Sequence, residues 1–592
     1  MGLVANADFS NLTYLASGSG AYARAALAKL NDTVNVMDFY NGVYSSGINI
    51  TSALNNALAS LTYGGIVYIP PGYYVITPTI SMPPFTKIIG QLHTPGENDF
   101  DLNYKAHGTV IGISASGMGN TACGFQVGMG CMIEGLTFLN SDVTYPTSQA
   151  CSYTSGQSQQ LSMTIANILA QIHTFNSYNN GPIWLTDNEA RIKDLLVIGF
   201  YYPYQINPTY RWGTGALLAS VKAENILFDC FQGPTIQGVD DVSEFSTHHG
   251  WQYFTGHIYA NPSDPDAQVN SSGTQLPLTA NARDVTYRAG SGFIITGHVD
   301  GALMTNCFAY NWQTGLTIYA SGPQTTVRMK NCGADGAWGA AGSSGAGSVA
   351  NVVNTYQTVG LFTEGSSEMS VTGDYYTGAV FNAGQFQHSA ANINFDVQLL
   401  AGICFGNVAY FGSGSKGRIS VEVSAGGATG LSFQSGVGAW EVTSYNIQNS
   451  SFPANSGAAY FVANAAALAN LTLPGAVIDA TSLANGVTDN FGRRANGLRM
   501  DQVEGSNAVS AQSMPANSAL SFTVGVTNVI AGTDAFASYA CAASAGGAVS
   551  MPGVSVDGFI NTNGYVEVTY GNYTASAVSI PAHTIVVRVQ KR

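Results

Sequence analysis

Between about residue 65 and residue 485, apolar residues come in short β-prone runs that Gly or Asn interrupts every few positions. The run Gly64-Gly65-Ile66-Val67-Tyr68-Ile69 is followed by the turn Pro70-Pro71-Gly72 and a second run, Tyr73-Tyr74-Val75-Ile76. β-Branched and aromatic residues bounded by Pro and Gly predict two strands joined by a tight turn. Just upstream, Ala53, Leu54, Ala57, Leu58 and Leu61 recur at helical spacing behind Thr51. They predict a short amphipathic helix with Thr51 as its N-cap. Such a helix can cover the open end of a coiled sheet, whose bare strand edges otherwise invite aggregation. Val34 to Phe39 reads as a strand, and residues 1–33 as a leader holding a helix-compatible segment, Gly20 to Leu30.

The runs repeat weakly. Met304-Thr305-Asn306-Cys307 returns 25 positions later as Met329-Lys330-Asn331-Cys332, and Cys230 precedes Cys307 by 77 positions, close to three such steps. A second series is Gly315-Leu316-Thr317-Ile318, Gly378-Ala379-Val380-Phe381, Gly402-Ile403-Cys404-Phe405 and Gly430-Leu431-Ser432-Phe433. A period in the middle twenties is one rung of a coiled parallel sheet, in which each rung buries its apolar residues against its neighbours. Residues 34–470 are therefore expected to form an all-β, right-handed parallel β-helix. Insertions at 141–182, 257–282 and 333–350 break the rungs, and loops on a rigid scaffold are where binding concentrates. Residues 471–510 read as a connector. After it Ala519 to Val524, Tyr565 to Tyr570 and Thr584 to Val589 alternate apolar with polar, predicting an antiparallel β-sandwich over 511–592.

Composition sharpens this picture. Charged residues are 9% of the chain and Gly accounts for 69 of its 592 positions, which suits short strands and tight turns rather than helical bundles. A net charge of −14 with no basic run argues against a nucleic-acid partner and an anionic membrane surface. No run of ~18 apolar residues predicts membrane insertion, and no basic segment followed by an apolar one predicts a secretory signal. The eight cysteines form no C-x-x-C pair, so free buried thiols are expected, with no metal and no cofactor.

Three segments together resemble bacteriophage tailspikes of the pectate-lyase-like superfamily. They are Gly20 to Leu30 running into Val34-Asn35-Val36-Met37-Asp38-Phe39, the helix with Gly64 to Tyr74, and the C-terminal stretch with Gly564-Tyr565-Val566 and Val587-Arg588-Val589. Where the family usually continues with an acidic turn, this chain has Tyr40-Asn41-Gly42-Val43. The resemblance implies a homotrimer on the virion tail, assembled in the host cytoplasm. It implies binding, and often cleavage, of a host surface polysaccharide. The leader would dock into a tail or adaptor protein, and the terminal sandwich would serve trimerisation or carbohydrate binding.

Glycoside hydrolysis needs two carboxylates ~5–9.5 Å apart. The densest acidic cluster is Asp240, Asp241 and Glu244, followed by His248, His249, Trp251 and Tyr253. The acids could act as acid and base, and the aromatics could stack on sugar rings. Glu364 and Glu368 flank the turn Gly365-Ser366-Ser367 and form a second candidate pair. Asp187, Glu189, Arg191 and Asp194 suit a structural ion pair, and His298 with Asp300 is a weaker acidic pair. His249, Trp251, Tyr253, Trp312, Tyr319 and Trp338 are the expected sugar contacts. A polysaccharide lyase of the same fold would instead use a base and a cation such as Arg283, Arg288 or Arg328 to neutralise a uronate. A glycan binder that cuts nothing is a third reading.

Overall fold

The computed structural model describes residues 33–92, 104–145, 174–207, 216–240, 243–251, 253, 290–310, 312–335, 359–380, 382–390, 392–404, 407–425, 429–447, 458–462, 470–472, 502–526, 535–542 and 554–590, together with short strand pairs at 13–14/24–25 and 99–101/150–152. Two compact units emerge: residues 1–428 with 436–455, and residues 429–435 with 456–592.

The first unit is a parallel β-helix. Its larger sheet runs from Thr33–Asn35 and Gly65–Tyr68 to Trp440–Ile447, and a second parallel sheet runs from Ile80–Ser81 to Asn407–Phe411. One rung takes in Thr314–Ala320 in the second sheet and Gln324–Asp335 in the larger; the next takes in Val359–Gly365 and Glu368–Val380. Met304 pairs with Met329 and Thr305 with Lys330, so the repeat of 25 positions is one rung. Cys307 and Cys332 follow in the same inward column, but Cys230 does not: His248 stands on the rung before Cys307, because His249 pairs with Phe308. The Gly-led series also divides. Ala379 and Val380 pair with Ile403 and Cys404 in the larger sheet, whereas Gly315 belongs to the second sheet.

The repeated Asn has a conformational cause. Asp194, Asn225, Thr247, Asn306 and Asn331 have φ of 52°, 52°, 55°, 54° and 52°. They occupy one corner of successive rungs, a left-handed position that Asn and Asp tolerate better than other non-Gly residues. Asn225 Nδ2 donates to Asp194 Oδ1 at 2.7 Å, and Asn331 Nδ2 to Asn306 Oδ1 at 2.8 Å. Each amide thus bonds the rung beside it. Asp194 is accordingly a corner residue, and Asp187 accepts from the N–H of Asn188 at 2.9 Å.

Inside, aliphatic and aromatic side chains stack along the axis. His388 lies among Phe386, Phe395, Phe411 and Trp440, stacked on Phe395 at 5.1 Å. The helix Thr51–Ser60 buries Ala53, Leu54, Ala57 and Leu58, as its periodicity predicts, and packs on the turn Val36–Phe39 and strand Gly65–Tyr68. Thr51 is not its N-cap. Ile50 holds that position without a side-chain bond, while Thr51 Oγ1 accepts from the N–H of Thr77 at 2.7 Å. Val36–Phe39 is a 3-10 turn rather than a strand continuation, with Asn35 accepting from the N–H of Met37. At the Pro-Pro-Gly turn Gly72 has φ 151°, and a Cβ there would strike Tyr44 and Tyr74, so only Gly fits.

In the second unit, Gln502–Val509, His583–Gln590 and Ala535–Ala542 form one antiparallel sheet, and Ser518–Gly525, Tyr565–Asn572 and Val554–Thr562 another. Between them lies a core of Val509, Met514, Val524, Val566, Val568, Tyr570, Ile585, Val587 and Val589. Strand Gln502–Val509 falls in the stretch that reads as a connector: its alternation is too polar to stand out until its partner, His583–Gln590, is known. The unit also holds the parallel pair Thr429–Phe433 and Ala458–Val462.

Candidate functional site

The left-handed corner divides the outer surface of the larger sheet in two. Before the corner, outward positions carry alternating charge. Lys87 pairs with Glu134, Lys193 with Glu224 at 3.3 Å, and Lys222 with Glu244 at 2.8 Å. Such half-exposed pairs hold a solvated face and contribute little to stability. Glu244, a candidate catalytic acid, is thereby bound to a lysine 22 positions upstream on the preceding rung.

After the corner the outward positions are apolar and aromatic. Leu196, Leu227, His249 and Phe308 form one column. Ile198 and Asp229 lead the next, and Tyr310 and Asp335 continue it. Trp251 donates its N–H to Phe228 O at 3.0 Å, extending the ladder between Asp229 and Tyr310. Trp251 stacks on Tyr310 at 4.3 Å and 31°, and His249 lies 5.3 Å from Trp251 and 5.7 Å from Phe308. Tyr253 is buried, with its hydroxyl 3.2 Å from His249 Nδ1. Ile198 and Leu196 are covered, with Tyr145 Oη donating to Ile198 O at 3.2 Å; His249, Trp251 and Phe308 are part-exposed. The result is a platform of the part-exposed His249, Trp251 and Phe308 rings backed by Tyr310, itself only 8% exposed; Tyr376, two rungs on from Phe308, is 46% exposed.

The two histidines separate by strand parity. His248 faces inward, its Nε2 2.8 Å from Tyr204 Oη and its Nδ1 3.1 Å from Ser246 O. Burial pushes its pKa down to about 3, so it is a neutral core residue. His249 points outward. Trp312 is not a sugar contact: it is 2% exposed, packs on Phe228 and donates Nε1–H to Phe231 O at 3.0 Å. Trp338 and Asp241 lie outside the described residues, as do residues 257–282.

The acidic cluster and the aromatics do not form one compact site. Glu244 and Trp251 lie on opposite sides of the left-handed corner at Thr247. The register instead joins two acids that are distant in sequence. Val239 pairs with Val299, both fully buried. Asp240 and Asp300, one residue on, therefore share the outer face of neighbouring rungs, whose backbones are about 4.8 Å apart. Gln324 Nε2 donates to Asp300 Oδ1 at 3.3 Å. The register thus places two carboxylates on neighbouring rungs of one face, which makes them a candidate pair for acid–base work on a glycosidic bond.

Glu364 and Glu368 belong to different sheets on either side of a corner. On the second sheet Glu364 stands between Tyr319 on one rung and Gln387 on the next. Tyr319 is 43% exposed, so this row offers a ring, a carboxylate and an amide side by side.

Phe308, Tyr310, Asp300 and Asp335 complete these surfaces without having stood out in the sequence, apart from the weak pairing of Asp300 with His298. A signal existed. Aligned on the corner residue, Asn306-Cys307-Phe308-Ala309-Tyr310 parallels Thr247-His248-His249-Gly250-Trp251, which places Phe308 beside His249 and Tyr310 beside Trp251.

Residues 33–210 match the family described as rhamnogalacturonase A/epimerase, pectate lyase-like. The first unit is a parallel β-helix, and the second unit is built from antiparallel sheets. A structure of a double mutant of the tailspike protein of E. coli bacteriophage HK620 matches 99% of this chain and 98% of its own, with a TM-score of 0.52 and 10% identity. A second double mutant of that tailspike matches over the same shares with a TM-score of 0.50 and 10% identity. At this identity the likeness is one of fold. No curated protein matches the chain.

Proposed function

We propose that this protein is a phage tailspike that binds a host cell-surface polysaccharide, capsule or lipopolysaccharide O-antigen, and depolymerises it as an endo-acting glycoside hydrolase. The observation that carries the reading is the part-exposed aromatic platform of His249, Trp251 and Phe308, backed by the buried Tyr310 ring, in a chain whose fold is like a tailspike's over nearly its whole length. Stacked rings with part-exposed faces bind the apolar faces of sugars, and neighbouring hydroxyls and carboxylates orient them. Asp240 and Asp300, upstream of the ring platform on the same sheet, serve as the acid and base, acting on a different residue of the polymer from the one stacked on Trp251. The Tyr319–Glu364–Gln387 row is a further glycan contact on the second sheet. The protein works as a homotrimer on the virion tail, docked through residues 1–33.

Glycan binding without cleavage is the second reading, favoured by the ion pair that occupies Glu244. Incubating the purified chain with host polysaccharide and following polymer size separates the two. Shortening that Asp240→Asn or Asp300→Asn abolishes supports hydrolysis; an unsaturated, ultraviolet-absorbing product would mean lyase chemistry; retention of full polymer length would leave binding alone.

A further inference from the structure

The outer face of the second unit's sheet Ser518–Gly525, Tyr565–Asn572 and Val554–Thr562 is unlike an ordinary solvated strand surface. Phe559, Tyr565 and Tyr573 are 41%, 50% and 76% exposed, and all three lie on this one face. The register sets Glu567 between Thr523 on one side and Phe559 on the other, and Tyr565 between Gly525 and Thr562. Thr523, Thr562, Tyr565 and Glu567 line an open cleft of about 180 Å³. Farther along, the Tyr573 ring packs beside Gly571, where a Cβ would come within 2.8 Å of it. Ser521 Oγ and Thr569 Oγ1 are 2.9 Å apart between the two aromatic ends. From Tyr565 to Gly571 the face runs roughly 20 Å.

These three strands hold Asp557 and Glu567 and no lysine or arginine. A polyanion has no partner there and is repelled by two acids. A sugar without charge meets rings for its apolar face and threonine, serine and carboxylate oxygens for its hydroxyls. We propose that this face is a binding site for a neutral oligosaccharide, built wholly within the second unit and additional to the β-helix surfaces.

The test uses the full chain on an array of bacterial surface oligosaccharides, neutral and uronate-containing, with Trp251→Ala as the variant that disables the β-helix platform. We expect neutral oligosaccharides that Trp251→Ala still binds, and whose binding Tyr565→Ala and Phe559→Ala each weaken about tenfold with unchanged melting. Thr523→Arg, at an exposed position beside Glu567, should abolish the same binding. The proposal is overturned if Trp251→Ala removes all neutral binding, if the sandwich variants bind as the parent does, if uronates are preferred, or if those variants change the mass of the assembly, which would make the face a subunit contact. The first outcome leaves the β-helix reading intact and removes only this one, whereas a β-helix reading that fails shows as polysaccharide binding that Trp251→Ala leaves unchanged.

Discussion

Lowering the pH should weaken the β-helix in a defined window, and His388 shows why. Its Nε2–H donates to Lys416 O at 2.8 Å, and its Nδ1 accepts from Thr363 Oγ1 at 2.7 Å. Phe395, Phe386 and Trp440 surround the ring. Burial, with the Lys416 charge adding to it, lowers its pKa to about 4 from 6.5. The unfolded chain therefore binds this proton more readily than the folded one. The stability tied to neutral His388 is complete above pH 6.5 and is lost as pH falls from 6.5 toward 4. At 1.36 kcal/mol per unit, about 2 kcal/mol is gone by pH 5 and about 3 kcal/mol near pH 4. Urea-unfolding free energies measured from pH 8 to pH 4 read this slope. His388→Gln keeps a donor for Lys416 O and an acceptor for Thr363 but cannot titrate. Its curve should lie below the parent's at pH 8 yet be flatter by about 3 kcal/mol between 6.5 and 4. A variant with the parent's slope would refute the reasoning. His248, lowered to about 3 by burial, adds a second increment that His388→Gln leaves in place.

Other expectations follow from the geometry. Trp312→Ala should cost about 3–5 kcal/mol by thermal or urea unfolding, while Trp251→Ala should change stability little and lower polysaccharide affinity about tenfold. Asn331→Ala removes both a residue suited to φ 52° and the amide bond to Asn306; it should destabilise by about 1–3 kcal/mol, and Asn331→Gly by less. Asp240→Asn and Asp300→Asn should each slow depolymerisation at least about a hundredfold, whereas Glu244→Gln, which only breaks the pair with Lys222, should leave the rate within a few-fold.

The rung period was legible because its cause is local: Asn306 and Asn331 mark a left-handed corner that the rungs from Asp194 to Asn331 share. The helix was legible for the same reason. The side a residue faces was not, because each corner resets strand parity. His248 and His249 therefore differ completely in environment, and Trp251 and Trp312 are surface and core despite similar surroundings in the chain. Pairing was not legible either, since Glu244 meets Lys222 and Asp240 meets Asp300 only once rungs of unequal length are stacked. The insertion after Trp251 lengthens one of those rungs and hides the period at the position where the site forms.

The account rests on the ring platform as the polysaccharide contact. Saturation-transfer and crystallographic analysis of the full chain with a fragment of the host's surface polysaccharide tests this directly. Sugar rings should lie against Trp251, with contacts to His249 and Phe308, and Trp251→Ala should remove them. A fragment bound only elsewhere, or none bound from the true host's polymer, would contradict it.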